Sequence, residues 1–183
     1  MGSLQDERRG PPRTGDAVSL AAPTLTVSLA DYADPADGAA LVALLDAYAR
    51  DPMGGGEHLS DTVRDTLVDA LASFPGAFSL IARLDDVPVG LANCITGFST
   101  FAAAPLVNIH DMAVLPGHRG HGIGRALMEA VEAEALKRGA CKITLEVLSG
   151  NETAKALYAK CGYGDYELDP AAGKAMFWQK KLI

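Results

Sequence analysis

Val114-Leu-Pro-Gly-His-Arg-Gly-His-Gly-Ile-Gly-Arg125 decides how the rest of the chain is read. It stands between an apolar stretch, Pro105 to Leu115, and a helix-periodic run from Ile123 to Arg138. A glycine-rich turn between a strand and a helix aims backbone N–H groups at one point, backed by the positive end of the helix dipole. Such a junction suits phosphate. Gly120, Gly122 and Gly124 carry no Cβ to hold a ligand away, and Arg119 adds a charge. The nucleotide-triphosphate loop GxxxxGK[ST] is absent, because no Lys-Ser or Lys-Thr follows these glycines. The dinucleotide pattern GxGxxG also fails: its last glycine falls on Arg125 or on Leu127.

Working outward, alternation predicts a first strand over Thr24 to Leu29. Pro35 opens a helix through Arg50, with Leu41, Leu44, Leu45 and Tyr48 at helical spacing. Asp51 to Gly56 breaks it, and Ser60 caps a second helix that ends before Pro75. Ala77 to Arg83 and Val87 to Phe98 form a hairpin around Leu84-Asp85-Asp86, and Pro105 to Leu115 follows as a strand. The helix after the glycine loop turns Ile123, Leu127, Ala130, Val131 and Leu136 inward and stops at Gly139. Cys141 to Leu148 is a strand, Asn151 to Lys160 a helix, and Tyr163 to Leu168 and Ala175 to Leu182 are two closing strands. The order β-α-α-β-β-β-α-β-α-β-β predicts one α/β domain with a mixed sheet over residues 23–183, preceded by a mobile tail over residues 1–22.

Composition narrows the partners. The 183 residues suit one domain, with 49% hydrophobic and 21% charged residues. Sixteen Lys and Arg against 23 Asp and Glu give a net charge of −7, which disfavours nucleic acid and favours a cationic partner. Cys94, Cys141 and Cys161 lack a CxxC spacing and read as reduced thiols, Cys141 and Cys161 as small buried ones, in a cytoplasmic protein. No run is long enough to span a membrane, Met1 to Arg13 lacks the apolar core of a signal peptide, and no His/Asp spacing suggests a metal.

What does fit the loop is [RQ]-x-x-G-x-[GA], as Arg119-Gly-His-Gly122-Ile-Gly124. A second pattern follows a strand later: Asn151-x-x-Ala154-x-x-Leu157-Tyr158-x-x-x-Gly162-Tyr163. Together they resemble the GNAT superfamily of N-acetyltransferases over about residues 87–167. The resemblance implies that superfamily's fold, a splayed central sheet flanked by helices, and acetyl-coenzyme A as co-substrate without a metal. It also implies that Arg119, Gly120, His121, Gly122, Ile123, Gly124 and Arg125 surround the pyrophosphate. Met112, Ala113 and Val114 would bond the pantetheine arm through their backbone, with the Met112 N–H polarising the thioester carbonyl. Asn151 would lie on the pantetheine side, Ala154 beside the cofactor, and Tyr158 would protonate the departing thiolate. The chemistry supports this independently, since a fixed N–H stabilises charge on oxygen and a phenol supplies a proton to sulfur.

An ammonium group must lose a proton before it attacks. His110, Asp111 and Glu146 are the candidate bases, and strand alternation places His110 and Asp111 on opposite faces. Phe98-Ser-Thr-Phe101 and Asn108 to Val114 are similar to the diamine acetyltransferase branch, although His110 stands where that branch has an acid. The branch implies a homodimer, to which Met176-Phe-Trp178 would contribute. The expected acceptor is a primary amine on a small cationic molecule, attacked in a ternary complex. The alternatives are a protein lysine or N-terminal amine, or a silent coenzyme A-binding domain.

Overall fold

The computed structural model describes residues 23–166, 169, 171, 173 and 175–182. Five strands lie in the order β1-β2-β3-β4-β5: β1 (Leu25–Leu29), β2 (Ala77–Leu84), β3 (Val87–Ser99), β4 (Ala104–Val114) and β5 (Ile143–Leu145). Neighbours from β1 to β4 are antiparallel, and β5 is parallel to β4. Four α-helices accompany them: α1 (Pro35–Ala49), α2 (Asp61–Ser73), α3 (Ile123–Lys137) and α4 (Glu152–Lys160).

Local chemistry fixes most boundaries. Asp34 caps α1 by accepting from the Ala36 N–H, with Pro35 in the first turn, and Ser60 caps α2 through the Val63 N–H. The β2–β3 turn places Asp85 and Asp86 at φ 48° and 66°, the doubly left-handed geometry that a two-residue hairpin requires. The sheet then separates two apolar layers. On one face Leu80, Val89, Ala92, Val107 and Ile109 pack with Leu127, Met128 and Val131 of α3. On the other, Ile81 and Leu91 pack with Ala40, Leu41 and Leu44 of α1.

Two features of β4 position the site. It pairs with β5 only from Val107 to Ile109, so among the described residues its last stretch, His110 to Val114, has no strand beside it on that side. Its register with β3 also slips: Asn93 faces Asp111 while Cys94 faces Ile109. His110 is therefore the extra residue of a β-bulge.

Three expectations need correction. Tyr163 to Tyr166 and Ala175 to Leu182 form no strand, while residues 167–168 lie outside the described ones. Alternating apolar residues indicate suitability for a sheet, but a strand exists only where a ladder forms. The three residues of β5 offer a short edge, and Met176, Phe177 and Trp178 stand 74%, 77% and 81% exposed instead. Leu136 faces outward at the end of α3, away from the stripe formed by Leu127 and Val131. Cys141 is exposed and Cys161 half-buried, leaving Cys94 as the buried thiol. The expected tail, residues 1–22, lies outside the described residues.

Candidate active site

The glycine loop folds as a short 3-10 turn, Pro116–His118, followed by two left-handed glycines. Gly120 and Gly122 sit at φ 82° and 81°, where a Cβ would be strained although nothing crowds it. Gly122 is the N-cap of α3 and supplies no side chain, so the N–H groups of Ile123, Gly124 and Arg125 have no acceptor within the helix. Ile123 is buried in the core and anchors this start against the sheet. His121 is exposed and turned back toward the His118 carbonyl at 3.4 Å, and Arg125 pairs with Glu129 at 2.8 Å.

Gly124 works differently. A Cβ there would come within 2.9 Å of Leu157 Cδ2 and 3.6 Å of Met112 Cε. Its missing side chain lets α4 close onto α3 and β4, so the two motifs meet physically at this glycine. Asn151 spends its carbonyl oxygen capping α4, accepting from the Ala154 N–H at 3.1 Å. Ala154 is half-buried one turn before Tyr158. The Tyr158 ring packs against the α3-side core and lies 6.3 Å from the Tyr163 ring. Its hydroxyl has no hydrogen-bond partner among the described residues. Burial first, and then the nearby Tyr48, push this phenol above its usual 10, so it stays protonated and able to donate.

Arg119 does not point freely at the loop. Its Nε donates to the Val114 carbonyl at 2.9 Å and its terminal nitrogen to Asp51 at 2.7 Å. Arg119 holds the Asp51 carboxyl below the usual carboxylate range, through that hydrogen bond first. The glycine-rich segment after α1 is thereby tied to the cofactor loop. Nothing in the sequence pairs these positions, which are 68 residues apart.

On the opposite face the bulge changes the expected placement of His110 and Asp111. Ile109 and Met112 both pack on the α3 side, so the two residues between them share the face turned away from that core. His110 is exposed and has no hydrogen-bond partner among the described residues. Asp111 is half-buried and accepts from Asn93 Nδ2 at 3.1 Å. Glu146 is exposed just beyond β5, where both its oxygens lie 3.3 Å from Asn108 Nδ2. Tyr48 completes the group. It lines a narrow crevice with Ala113, Val114, Leu115 and Arg119. It also lies within electrostatic range of both Asp111 and Tyr158. The helical spacing marked Tyr48 as apolar surface, and only its hydroxyl hinted at more.

A wider open groove of about 580 Å³ runs between α1 and α2, past Tyr32, Gly38, Val42 and Val68, and no residue of the β4–α3 junction lines it. Among the described residues no group of three His, Cys, Asp or Glu side chains could hold a metal ion, and no helix is long and apolar enough to cross a membrane.

Among the described residues, unsatisfied helix-start amides, an unflanked strand end and a partnerless phenol therefore lie around the β4–α3 junction. The acetyltransferase (GNAT) family profile matches residues 38–163. The chain belongs to the GNAT family of N-acetyltransferases. It is 38% identical over 88 residues to the streptothricin acetyltransferase of Streptomyces lavendulae, a match covering 46% of this chain and 47% of that protein. The chain thus matches about half the length of that relative. It is also 33% identical over 129 residues to an uncharacterized N-acetyltransferase of Mycobacterium tuberculosis (strain ATCC 25618 / H37Rv), covering 68% of this chain and 80% of the relative. An aminoglycoside acetyltransferase from an uncultured soil metagenomic sample shares the fold, with a TM-score of 0.67 at 17% identity, over 86% of this chain and 97% of that one. GNAT acetyltransferases use acetyl-coenzyme A, and the groups at this GNAT protein's junction fit such a ligand: free amides for phosphate and an open strand edge for an amide-bearing arm.

Proposed function

We propose that this chain transfers the acetyl group of acetyl-coenzyme A to a primary amine of a small cationic acceptor, by direct attack in a ternary complex. Acetyl-coenzyme A would supply the activated acyl group and a thiolate leaving group. The amides of Gly120 to Arg125 receive the pyrophosphate, and the open edge of Met112, Ala113 and Val114 bonds the pantetheine arm. The Met112 N–H stabilises the negative charge that develops on the carbonyl oxygen. Tyr158 gives its phenolic proton to sulfur as the carbon–sulfur bond breaks. On the acceptor side Asp111 attracts the ammonium and exposed His110 takes its proton, freeing the nitrogen lone pair to form the new bond to carbon. The nitrogen loses its second proton as the amide forms, water passes that proton to the phenolate, and the proton taken by His110 goes to solvent, so the reaction releases one proton overall.

The observation that carries this reading is Tyr158: its ring is anchored in the core while its hydroxyl, held in the donor form, has no hydrogen-bond partner among the described residues. A silent coenzyme A-binding domain would have no use for that arrangement. The net charge of −7 and the match to a streptothricin acetyltransferase favour a small amine-bearing acceptor, with diamines and polyamines included. Three unpaired cysteines support a cytoplasmic setting. Exposed Met176, Phe177 and Trp178 support a homodimer, which light scattering would report as about twice 19.1 kDa and a monomer would contradict.

The test is thiol release by the purified protein from acetyl-coenzyme A with putrescine, spermidine, sisomicin, free lysine and a lysine-bearing peptide. Release with the small cations and little with the peptide is expected. Preference for the peptide would transfer the reading to protein acetylation, and silence with every amine would leave coenzyme A binding alone.

A further inference from the structure

The α1 side of the sheet holds a row of polar side chains that ends on Asp111 and whose other members have no part in the steps above. Ser79 on β2, Asn93 on β3 and Asp111 on β4 are successive register partners, so they stand side by side across three strands. Tyr32, between β1 and α1, closes the far end, its hydroxyl 2.9 Å from Ser79 Oγ. Ser79 donates to Asn93 Oδ1 at 2.6 Å, and Asn93 Nδ2 donates to Asp111 Oδ2 at 3.1 Å. A serine hydroxyl has one proton, and here it goes to Asn93, so Tyr32 is the donor in the first contact. Every bond in the row therefore donates toward Asp111. Ser79 and Asn93 are only 1% and 5% exposed, beside the apolar Ile81, Leu91 and Leu41. Buried polar groups stabilise nothing there unless fully paired, and the row is paired up to its last atom, Asp111 Oδ1.

We propose that Tyr32, Ser79 and Asn93 are positioning residues for the acceptor: they hold the Asp111 side chain in one orientation, with Oδ1 left to receive the acceptor's ammonium group. The proposal rests on the acetyl-transfer reading. It identifies the substrate class as an amine with a positive charge at the nitrogen that enters beside the bulge. A carboxylate only accepts hydrogen bonds, so a row that donates in one direction fixes which way the Asp111 side chain turns. The titratable groups around Asp111 are Tyr48 from α1, Cys94 from β3 and His110 on β4 itself. Burial pushes the Cys94 thiol up to about 12, and burial followed by Asp111 raises Tyr48, so both stay neutral at working pH.

Tyr32→Phe and Ser79→Ala remove one hydroxyl each at a distance from the cofactor loop, and Asn93→Leu removes the central amide. Three quantities are measured on the full chain: the KM for spermidine and sisomicin, the acetyl-coenzyme A affinity by calorimetry, and the hydrogen exchange of the Asn93 side-chain amide by NMR. Ser79→Ala should raise the amine KM roughly 2–10-fold, the value of one hydrogen bond, with a smaller rise for Tyr32→Phe and unchanged cofactor affinity. Exchange of the Asn93 amide should quicken in the same order. If Asn93→Leu does not fold, the two hydroxyl variants decide. Unchanged amine KM and unchanged amide exchange overturn the proposal, as do equal losses for amine and cofactor, which indicate general loosening. Wild-type protein that releases no thiol with either amine overturns the acetyl-transfer reading instead, and the Asn93 exchange still decides whether the row is held against Asp111.

Discussion

On the α3 side of β4 the available polar groups are backbone amides, from Gly120 to Arg125, whereas on the α1 side they are side chains, His110, Asp111 and Tyr48. The two sides also differ in how they are fixed. The amides are fixed by left-handed glycines and by a helix start anchored through buried Ile123. The side chains are fixed by a bulge, a row of hydrogen bonds and the packing of α1. Backbone chemistry is the same for any sequence that folds this way, so one side suits a common cofactor. Side chains change with each substitution, so the other suits an acceptor particular to this chain. Arg119 and Asp51 join the two sides, because that ion pair ties the segment after α1 to the cofactor loop.

Glycine substitutions would break the comparison most sharply. Gly122→Val puts a branched side chain at φ 81° and among the amides. Two lost hydrogen bonds to a charged phosphate, at about 1.5–3 kcal/mol each, correspond to roughly 10²–10⁴-fold weaker acetyl-coenzyme A binding. Calorimetry on a well-folded variant checks this, and retained affinity would mean that the amides do not hold the pyrophosphate. Gly124 should respond to size. Gly124→Ala meets only the mobile end of Leu157 and gains helix propensity, so it should change stability by less than about 1 kcal/mol. Gly124→Leu should cost about 1–3 kcal/mol by overpacking and displace α4. Urea melts distinguish the pair, and equal losses for both would show that backbone conformation, not contact with Leu157, governs this position.

Asp51→Asn should give the smallest effect, of the opposite sign. Removing a carboxylate that occupies Arg119 leaves the guanidinium free for phosphate, so acetyl-coenzyme A should bind about 2–5-fold more tightly in low salt, as expected for a partly exposed pair. The gain should fade as salt screens the charge. Weaker binding would instead show that the Asp51–Arg119 tie shapes the loop for its ligand.

The cofactor side was legible in the sequence for the same reason that it is rigid. Glycine at fixed spacing is a direct record of backbone conformation, and Asn151, Gly162 and Gly139 mark their helix ends in the expected way. The acceptor side was not. A bulge leaves no mark in the alternation of β4, so His110 and Asp111 were expected on opposite faces, and only the slip at Asn93 shows that they share one. Asn93 itself carried a signal, an amide inside the apolar run Val89 to Ile95, but its partners lie on other strands. The C-terminal segment failed differently: Ala175 to Leu182 alternates well enough for a strand, yet none forms among the described residues. Pattern reports a surface to be covered, not what covers it.

Tyr158 is where both sides meet, packed with the α3-side core and within electrostatic range of Tyr48. The most direct test of the account is therefore Tyr158→Phe, measured as turnover on the amine that gives the highest thiol release and as acetyl-coenzyme A affinity. The ring still fills its place, so affinity should hold within about twofold, while turnover falls roughly 10²–10⁴-fold. Because burial raises this phenol, the wild-type rate should also resist the alkaline decline until above pH 10. Unchanged turnover for Tyr158→Phe would contradict the account and leave Tyr158 as a core aromatic.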